Sequence, residues 1–339
     1  MVRQGSVVVT ISDIPRVLLI SGPTASGKSA LAVVLAQRLD GEVINLDSVQ
    51  VYRGARIGAA TISEDEMQGV PHHLIGFLDP STPWDVRKMA DLVGATAAAI
   101  RGRGRMPILV GGGGMYVSTL FAGISPLPER NETLRAELEL RQSEDLYSEL
   151  VERDPSRAAK LHPHDRLRII RAIETAYTVS TAATELYKER IPPWVAGLML
   201  VLTPPRELLY QAINTRVDQM IGDGIEDEVS ELLRVVPQES VLWGAIGYAH
   251  VLRRQRGELL FEEFRELMQR DTRRFAKRQL TYWRNEPRKQ GWRELCASVD
   301  WTWLTERGTI EGLCRESPVS VLRFAGMGAA GIAALGASA

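Results

Sequence analysis

The sequence predicts an α/β fold: a parallel sheet carrying a phosphate-binding loop, interrupted by a helical insertion and continued by a helical C-terminal part. Three observations predict it. Strand-length apolar runs alternate with helix-forming segments through roughly the first third of the chain. Gly22-Pro23-Thr24-Ala25-Ser26-Gly27-Lys28-Ser29 reads G-x-x-x-x-G-K-[ST], the loop of P-loop NTPase-like cores. From Asn131 to Arg190, Glu, Leu, Arg and Ala dominate and glycine is absent, a helical composition.

The elements follow in order. Arg16-Val17-Leu18-Leu19-Ile20 forms a buried strand, and the helix formers of 29–39 follow the loop, so strand, glycine turn and helix N-terminus stand in the sequence the motif requires. Glu42 to Leu46 is a second strand, ending at Asp47. Trp84 to Arg101 is rich in Ala and Leu and reads as a helix, and Met106 to Val110 is a third strand running into Gly111-Gly112-Gly113-Gly114. The helical region breaks at Asp154-Pro155 and His162-Pro163. Leu198 to Leu202 returns to strand character. Glu207–Met220 and Ile225–Arg234 are helical around Gly222-Asp223-Gly224. The expected organisation is a flexible extension over 1–13, a core of 14–130 and 195–295, an insertion of 131–194, and a flexible Gly/Ala-rich tail over 315–339.

With 339 residues, 45% hydrophobic and 24% charged, the profile is that of a globular protein with ample core. Cys296 and Cys314 are too few for a disulfide framework or a four-cysteine zinc site. With no signal-like start, the expected setting is cytoplasmic. The tail is weakly apolar and glycine-interrupted, so no membrane association is expected. Net charge is −1, so an affinity for nucleic acid would have to come from charge distribution.

In a parallel sheet, ligands gather beyond the carboxyl ends of the strands. The Gly22–Ser29 loop, Asp47-Ser48 and the four-glycine turn all fall there. Glycines let backbone N–H groups wrap a phosphate, and the helix N-terminus adds partial positive charge. Lys28 can reach the outer phosphate, and the Ser29 hydroxyl can ligate Mg²⁺. Asp47 can hold a metal through water, accept a proton, or cap a turn. Gln50 can hydrogen-bond a nucleobase edge. His72 and His73 are neighbours on an extended segment and point to opposite faces, which argues against a shared metal and for a structural or substrate-edge role. Arg216 is either a diphosphate ligand or part of a solvated helix face. The stretch from Arg270 to Arg293 holds nine Arg and Lys, only Asp271 and Glu286 as acids, and Phe275, Tyr282, Trp283 and Trp292 interleaved. Arg270, Arg274, Lys277 and Arg278 share one helix face. That is a footprint for a polyanion, or a helix with a basic exposed face and a buried aromatic one.

Together, several segments resemble the tRNA dimethylallyltransferase (tRNA isopentenyltransferase) family, in matching order from about Val17 to Asn285. They are Gly22–Ser29, Asp47–Gly54 (Asp-Ser-Val-Gln-Val-Tyr-Arg-Gly), Gly69–Leu74, Val110–Tyr116, Asp165–Glu174, Ala245–Tyr248 and Thr272–Leu280. The resemblance implies transfer of a dimethylallyl group from its diphosphate to N6 of the adenosine on the 3′ side of the anticodon, by a monomeric enzyme using Mg²⁺. Lys28 and Arg216 would stabilise the leaving diphosphate, with Mg²⁺ at Ser29. Asp47 would be the general base. The loop residues Gly22, Pro23, Thr24, Ala25, Ser26 and Gly27, with Ser48 and Gln50, would bind substrate. Arg168, Arg171, Arg273, Arg274, Lys277 and Arg278 would contact tRNA, whose anticodon arm the insertion would grip. The alternatives are an adenylate isopentenyltransferase acting on free nucleotide, a small-molecule P-loop kinase, and a non-catalytic tRNA-binding protein. The chain departs from the family pattern in three places. Ala59, Ala60 and Thr61 stand where Thr-Ala-Lys is usual, Gly113 where a threonine is usual, and Gly76 where an Asp is usual.

Overall fold

The computed structural model describes residues 14–82, 84–179, 186–289 and 296–299. The expected 1–13 extension, the 315–339 tail, and Trp292, Arg293 and Cys314 lie outside the described residues.

Six strands make one sheet in the order β3-β2-β4-β1-β5-β6, every pairing parallel. They are β1 (Arg16–Ser21), β2 (Gly41–Asn45), β3 (His72–His73), β4 (Met106–Val110), β5 (Ala196–Leu202) and β6 (Cys296–Val299). β2 and β4 are buried at every residue, and β1 at all but Arg16. Continuous Val/Ile/Leu runs of this kind suit central strands covered on both faces. The main core joins Leu18, Ile20, Leu31, Leu35, Ile108 and Leu200 from strands and from α1 (Lys28–Arg38). Ser21 Oγ donates to the Gly111 carbonyl at 2.6 Å, tying the end of β1 to the end of β4.

α2 (Glu64–Met67) is one turn with a Ser63–Glu66 capping box. α3 (Val86–Gly102) starts at Asp85, whose carboxylate accepts from Arg87 and Lys88 N–H. It buries Met89, Ala90, Val93, Ala97 and Ile100, a helical stripe, against the sheet. α4 (Gly114–Ala122) leaves the four-glycine turn.

The chain divides into a compact unit of Ala122–Pro193 and a unit made of the rest. This compact unit starts at Ala122 and contains most of the 131–194 segment read as an insertion. The reason is a closed neck: Ile191 N–H donates to the Ile124 carbonyl at 2.8 Å, and Gly123, at φ 74, lies too close to Ile191 for a side chain. Within this unit run α5 (Glu132–Glu139), α6 (Ser143–Arg153), α7 (Pro155–Ala158) and α8 (Arg166–Thr178). Asn131, Asp154 and Asp165 cap α5, α7 and α8, which explains the breaks legible at 154–155 and 162–163. Leu138, Leu146, Leu150, Ile169 and Ile173 fill its core.

After β5 come α9 (Arg206–Gly222), α10 (Ile225–Leu232), a 3₁₀ turn (Val241–Gly244), α11 (Tyr248–Gln255) and the 29-residue α12 (Phe261–Lys289). Their core includes Tyr52, Val229, Trp243, Tyr248, Phe264 and Met268. No described helix is long and apolar enough to cross a membrane.

Candidate active site

A cavity of about 210 Å³ opens where the carboxyl ends of β1, β2 and β4 meet. Thr24 to Ser29 form one wall, with Gly27 at φ 83 and Ala25 at φ 60. These left-handed turns let successive backbone N–H groups converge on an anion. Gly22 lies behind them at φ 140, where a Cβ would come within 2.6 Å of the Leu202 carbonyl. Pro23 is also buried behind the wall. Lys28 Nζ donates to the Pro23 carbonyl at 2.6 Å. Burial, then the nearby Arg216 charge, pulls the Lys28 pKa down from 10.5 to about 7 against the opposing effect of Asp47. Arg216, from α9, lines the same cavity, and burial lowers its pKa. Arg216 therefore lies on the cavity rather than on a solvated helix face.

Asp47 lies two residues beyond β2. Its Oδ1 accepts from Val49 N–H at 2.8 Å and Gln50 N–H at 3.3 Å, and its own N–H donates to Asn45 Oδ1. It therefore caps a turn and lines the cavity at once. Gln50 also lines it, with Nε2 donating to the Ala59 and Ala60 carbonyls at 3.1 and 3.2 Å. Ser48 is exposed and is not part of the cavity wall.

His72 reaches the cavity, while His73 turns the other way and pairs with buried Glu42 at 2.6 Å. The opposite-face expectation describes this pair. Among the described residues no group of three His, Cys, Asp or Glu could hold a metal ion.

The three departures are sterically accommodated. Ala59 and Ala60 line the cavity, and Ala60 adopts φ 50. Thr61 Oγ1 donates to the Ala55 carbonyl at 2.9 Å, so it closes its own loop. Gly113 and Gly76 have no crowding neighbour.

Sequence reasoning assigned no role to Gln279, which the fold brings to the loop from α12. Its Oε1 accepts from Thr24 N–H at 2.8 Å and its Nε2 donates to the Gly112 carbonyl at 3.1 Å. A Cβ at Gly112 would overlap Gln279 Nε2, so the glycine makes room for this bridge. Glu228 was missed too. Nearly buried, it accepts from the N–H groups of Arg56, Ile57 and Gly58 and from the Tyr248 hydroxyl. No local pattern marks either residue, because the loops they hold lie far away in sequence, 255 positions for Gln279 and Thr24 and 171 for Glu228 and Ile57.

The basic residues divide. Arg274, Lys277, Arg278 and Arg270 are exposed along α12, Arg270 and Arg274 bonded to Asp271. Phe275 reaches the cavity from this helix. Arg273 instead turns inward to Asn214 Oδ1 at 2.6 Å. In the helical unit, Arg168 is 73% exposed beside Asp165. Arg171 is half-buried, bonded to the Pro128 carbonyl and 3.7 Å from the buried Glu174 carboxylate, so its charge is engaged within its own unit.

The family model described as IPP transferase matches residues 50–286, and that described as isopentenyl transferase matches 15–75. The chain belongs to the IPP transferase family. A tRNA dimethylallyltransferase from Geobacter sulfurreducens is 41% identical, covering 84% of this chain and 94% of the relative. One from Symbiobacterium thermophilum is 43% identical, over 83% and 90%. Among solved structures, a full-length tRNA isopentenylpyrophosphate transferase from Bacillus halodurans aligns with TM-score 0.62 at 35% identity, covering 91% and 99%. A eukaryotic dimethylallyltransferase acting on tRNA aligns with TM-score 0.77 at 29% identity, over 93% and 80%. Both alignments span more than nine-tenths of this chain, so both solved structures share its fold.

Proposed function

We propose that this chain transfers the dimethylallyl group of dimethylallyl diphosphate to N6 of the adenosine on the 3′ side of the anticodon in tRNA, releasing diphosphate, in the cytoplasm. One observation carries the reading. A single cavity combines a phosphate-wrapping loop, two basic side chains (Lys28 and Arg216) and the carboxylate of Asp47 just beyond β2. The bond from the allylic carbon to oxygen breaks, and its electron pair leaves on the diphosphate. The N6 lone pair forms the new carbon–nitrogen bond, and the N6 proton passes to Asp47. Loop N–H groups, Lys28 and Arg216 stabilise the charge where it develops. Asp47 Oδ1 is held by two backbone donors, which fixes the carboxyl while Oδ2 serves as proton acceptor. The exocyclic amine is a poor nucleophile, so placing it beside the allylic carbon supplies much of the rate. The target base must leave the anticodon stack to reach the cavity.

Mg²⁺ fits the donor set. The Ser29 hydroxyl is a hard oxygen ligand lining the cavity, and Mg²⁺ is commonly held by one or two protein oxygens plus substrate phosphates. When bound it would neutralise charge on the departing diphosphate. Arg274, Lys277 and Arg278 on α12, and Arg168 in the helical unit, are the exposed cations suited to the RNA backbone.

The test uses purified chain, labelled dimethylallyl diphosphate, and unmodified tRNA, AMP and ATP as competing acceptors. Label appearing in tRNA supports the reading. Label in AMP or ATP alone contradicts it in favour of an adenylate transferase, and phosphate passing from ATP to a small acceptor contradicts prenyl transfer altogether.

A further inference from the structure

The segment 56–61, whose Ala59 and Ala60 line the cavity, belongs to no helix or strand, and Ala60 within it holds a left-handed φ of 50. Such backbone keeps one shape only when its surroundings determine it. Glu228 supplies the determination. Its Oε2 accepts from Ile57 N–H at 2.6 Å and Arg56 N–H at 3.2 Å, and its Oε1 from Gly58 N–H at 3.0 Å and the Tyr248 hydroxyl at 2.8 Å. The side chain is 5% exposed. The Tyr248 ring lies under Gly58, where a Cβ would come within 2.6 Å of it, so loop and ring touch. Burial and the Glu228 charge both raise the Tyr248 pKa, which keeps its hydroxyl a donor. Two residues beyond these amides, the Ala59 and Ala60 carbonyls receive Gln50 Nε2.

We propose that Glu228 is a positioning residue for acceptor recognition: it fixes the 56–61 loop so that two carbonyls occupy the Gln50 amide nitrogen and leave Gln50 Oε1 as the atom offered to the base. This rests on the functional reading above. An amide has two donor hydrogens and one acceptor oxygen. With both hydrogens engaged, Gln50 meets the substrate as an acceptor. An adenine amino group answers it, and the keto oxygen at the same place on guanine does not. Glu228 touches no reacting atom and acts through the loop.

A double-mutant cycle separates positioning from general support. Transfer to tRNA is measured for wild type, Glu228→Gln, Gln50→Ala and the double variant, with inorganic pyrophosphate affinity measured in parallel. Glu228→Gln puts an N–H where an N–H must be accepted. The expected result is a loss of about tenfold in kcat/KM for tRNA, the scale of one mispaired hydrogen bond. Pyrophosphate affinity stays within about twofold, and the double variant is no worse than Gln50→Ala. Tyr248→Phe removes one bond from Glu228 and keeps the three backbone ones, so it gives a smaller loss of the same kind if Glu228→Gln folds poorly. Additive losses in the cycle, or a parallel fall in pyrophosphate affinity, overturn the proposal. If the wild-type chain transfers nothing, the functional reading falls. Hydrogen exchange at the Ile57 and Gly58 amides then decides the positioning claim: unchanged protection in Glu228→Gln overturns it, and protection reduced at those amides alone supports it.

Discussion

At the scale of single residues, Asp47 has two oxygens with two tasks. Oδ1 anchors the Val49 and Gln50 amides, and Oδ2 serves as base in the proposed reaction. Asp47→Asn keeps the anchoring oxygen and loses basicity. It should cut transfer by on the order of 10²–10⁴-fold while tRNA binding stays near wild type, as read by single-turnover transfer and filter binding. Near-full activity would remove Asp47 from the chemistry. Lys28 gives a second prediction. With its pKa lowered to about 7 in the ligand-free site, it is largely neutral at pH 8, and an incoming diphosphate draws a proton back onto it. Calorimetry in buffers of different ionisation enthalpy should show close to one proton taken up at pH 8, little at pH 6, and none in Lys28→Met. The same depression sets a stability trend. Between about pH 7 and the usual lysine range the unfolded chain holds the extra proton, so the folded protein gains stability as pH rises through that window. Lys28→Met should flatten the trend. Lys28, Ser29 and Asp47 were legible because their chemistry is written within a few consecutive positions. Gln279 and Glu228 were not, because their partners come together only when α10 and α12 fold back on the loops. Gln50 was legible as a cavity residue, but its engaged nitrogen was not.

At the scale of elements, α12 has two sides with different tasks. Phe264, Met268, Ala276 and Trp283 are buried, and Gln279 reaches the glycine loop. Arg274, Lys277 and Arg278 face out. The exposed basic face matches one sequence-level reading, but of the aromatics named for that stretch Trp283 is buried while Phe275 is exposed; the polyanion footprint belongs to the proposed function. Replacing Lys277 and Arg278 by Glu should weaken tRNA binding and reduce its salt slope by roughly one for each phosphate no longer neutralised, without changing pyrophosphate affinity. Arg171 should behave differently. Its removal leaves buried Glu174 with Arg135 as its remaining cation, at 3.5 Å. Arg171→Met is expected to destabilise the protein by about 2 kcal/mol, less than the ~3–5 kcal/mol for a lone buried pair, with the salt slope of tRNA binding unchanged. Thermal unfolding together with the salt titration reads both. Spacing alone could not separate Arg168 from Arg171, since burial decides between them. The breaks at 154–155 and 162–163 and the start near Asn131 were legible, while the capping Asp85 and Asp165 set starts one to three residues away from those read in the sequence. The two-residue β3 and the edge strand β6 offered no periodicity to read.

At the scale of the molecule, a chain of net charge −1 is proposed to bind a polyanion. The distribution of charge makes this workable, because the cations gather on one exposed helix face and around the phosphate loop. The parallel sheet then fixes the chemistry. It brings the loop after β1, Asp47 after β2 and the glycine turn after β4 to one edge, and α9 adds Arg216. A phosphate loop by itself is compatible with hydrolysis or phosphoryl transfer. In the proposed reaction, with Asp47 as base and Gln50 facing the acceptor, it holds a diphosphate that leaves with its phosphates intact. The measurement that tests this most directly is a single-turnover reaction of the purified chain with unmodified tRNA and dimethylallyl diphosphate labelled in the prenyl group, followed by nucleoside analysis. The account predicts about one N6-dimethylallyl adenosine per tRNA, located beside the anticodon, with one diphosphate released for each. Unlabelled tRNA alongside label in free adenine nucleotide, or diphosphate cleaved to phosphate, would contradict it.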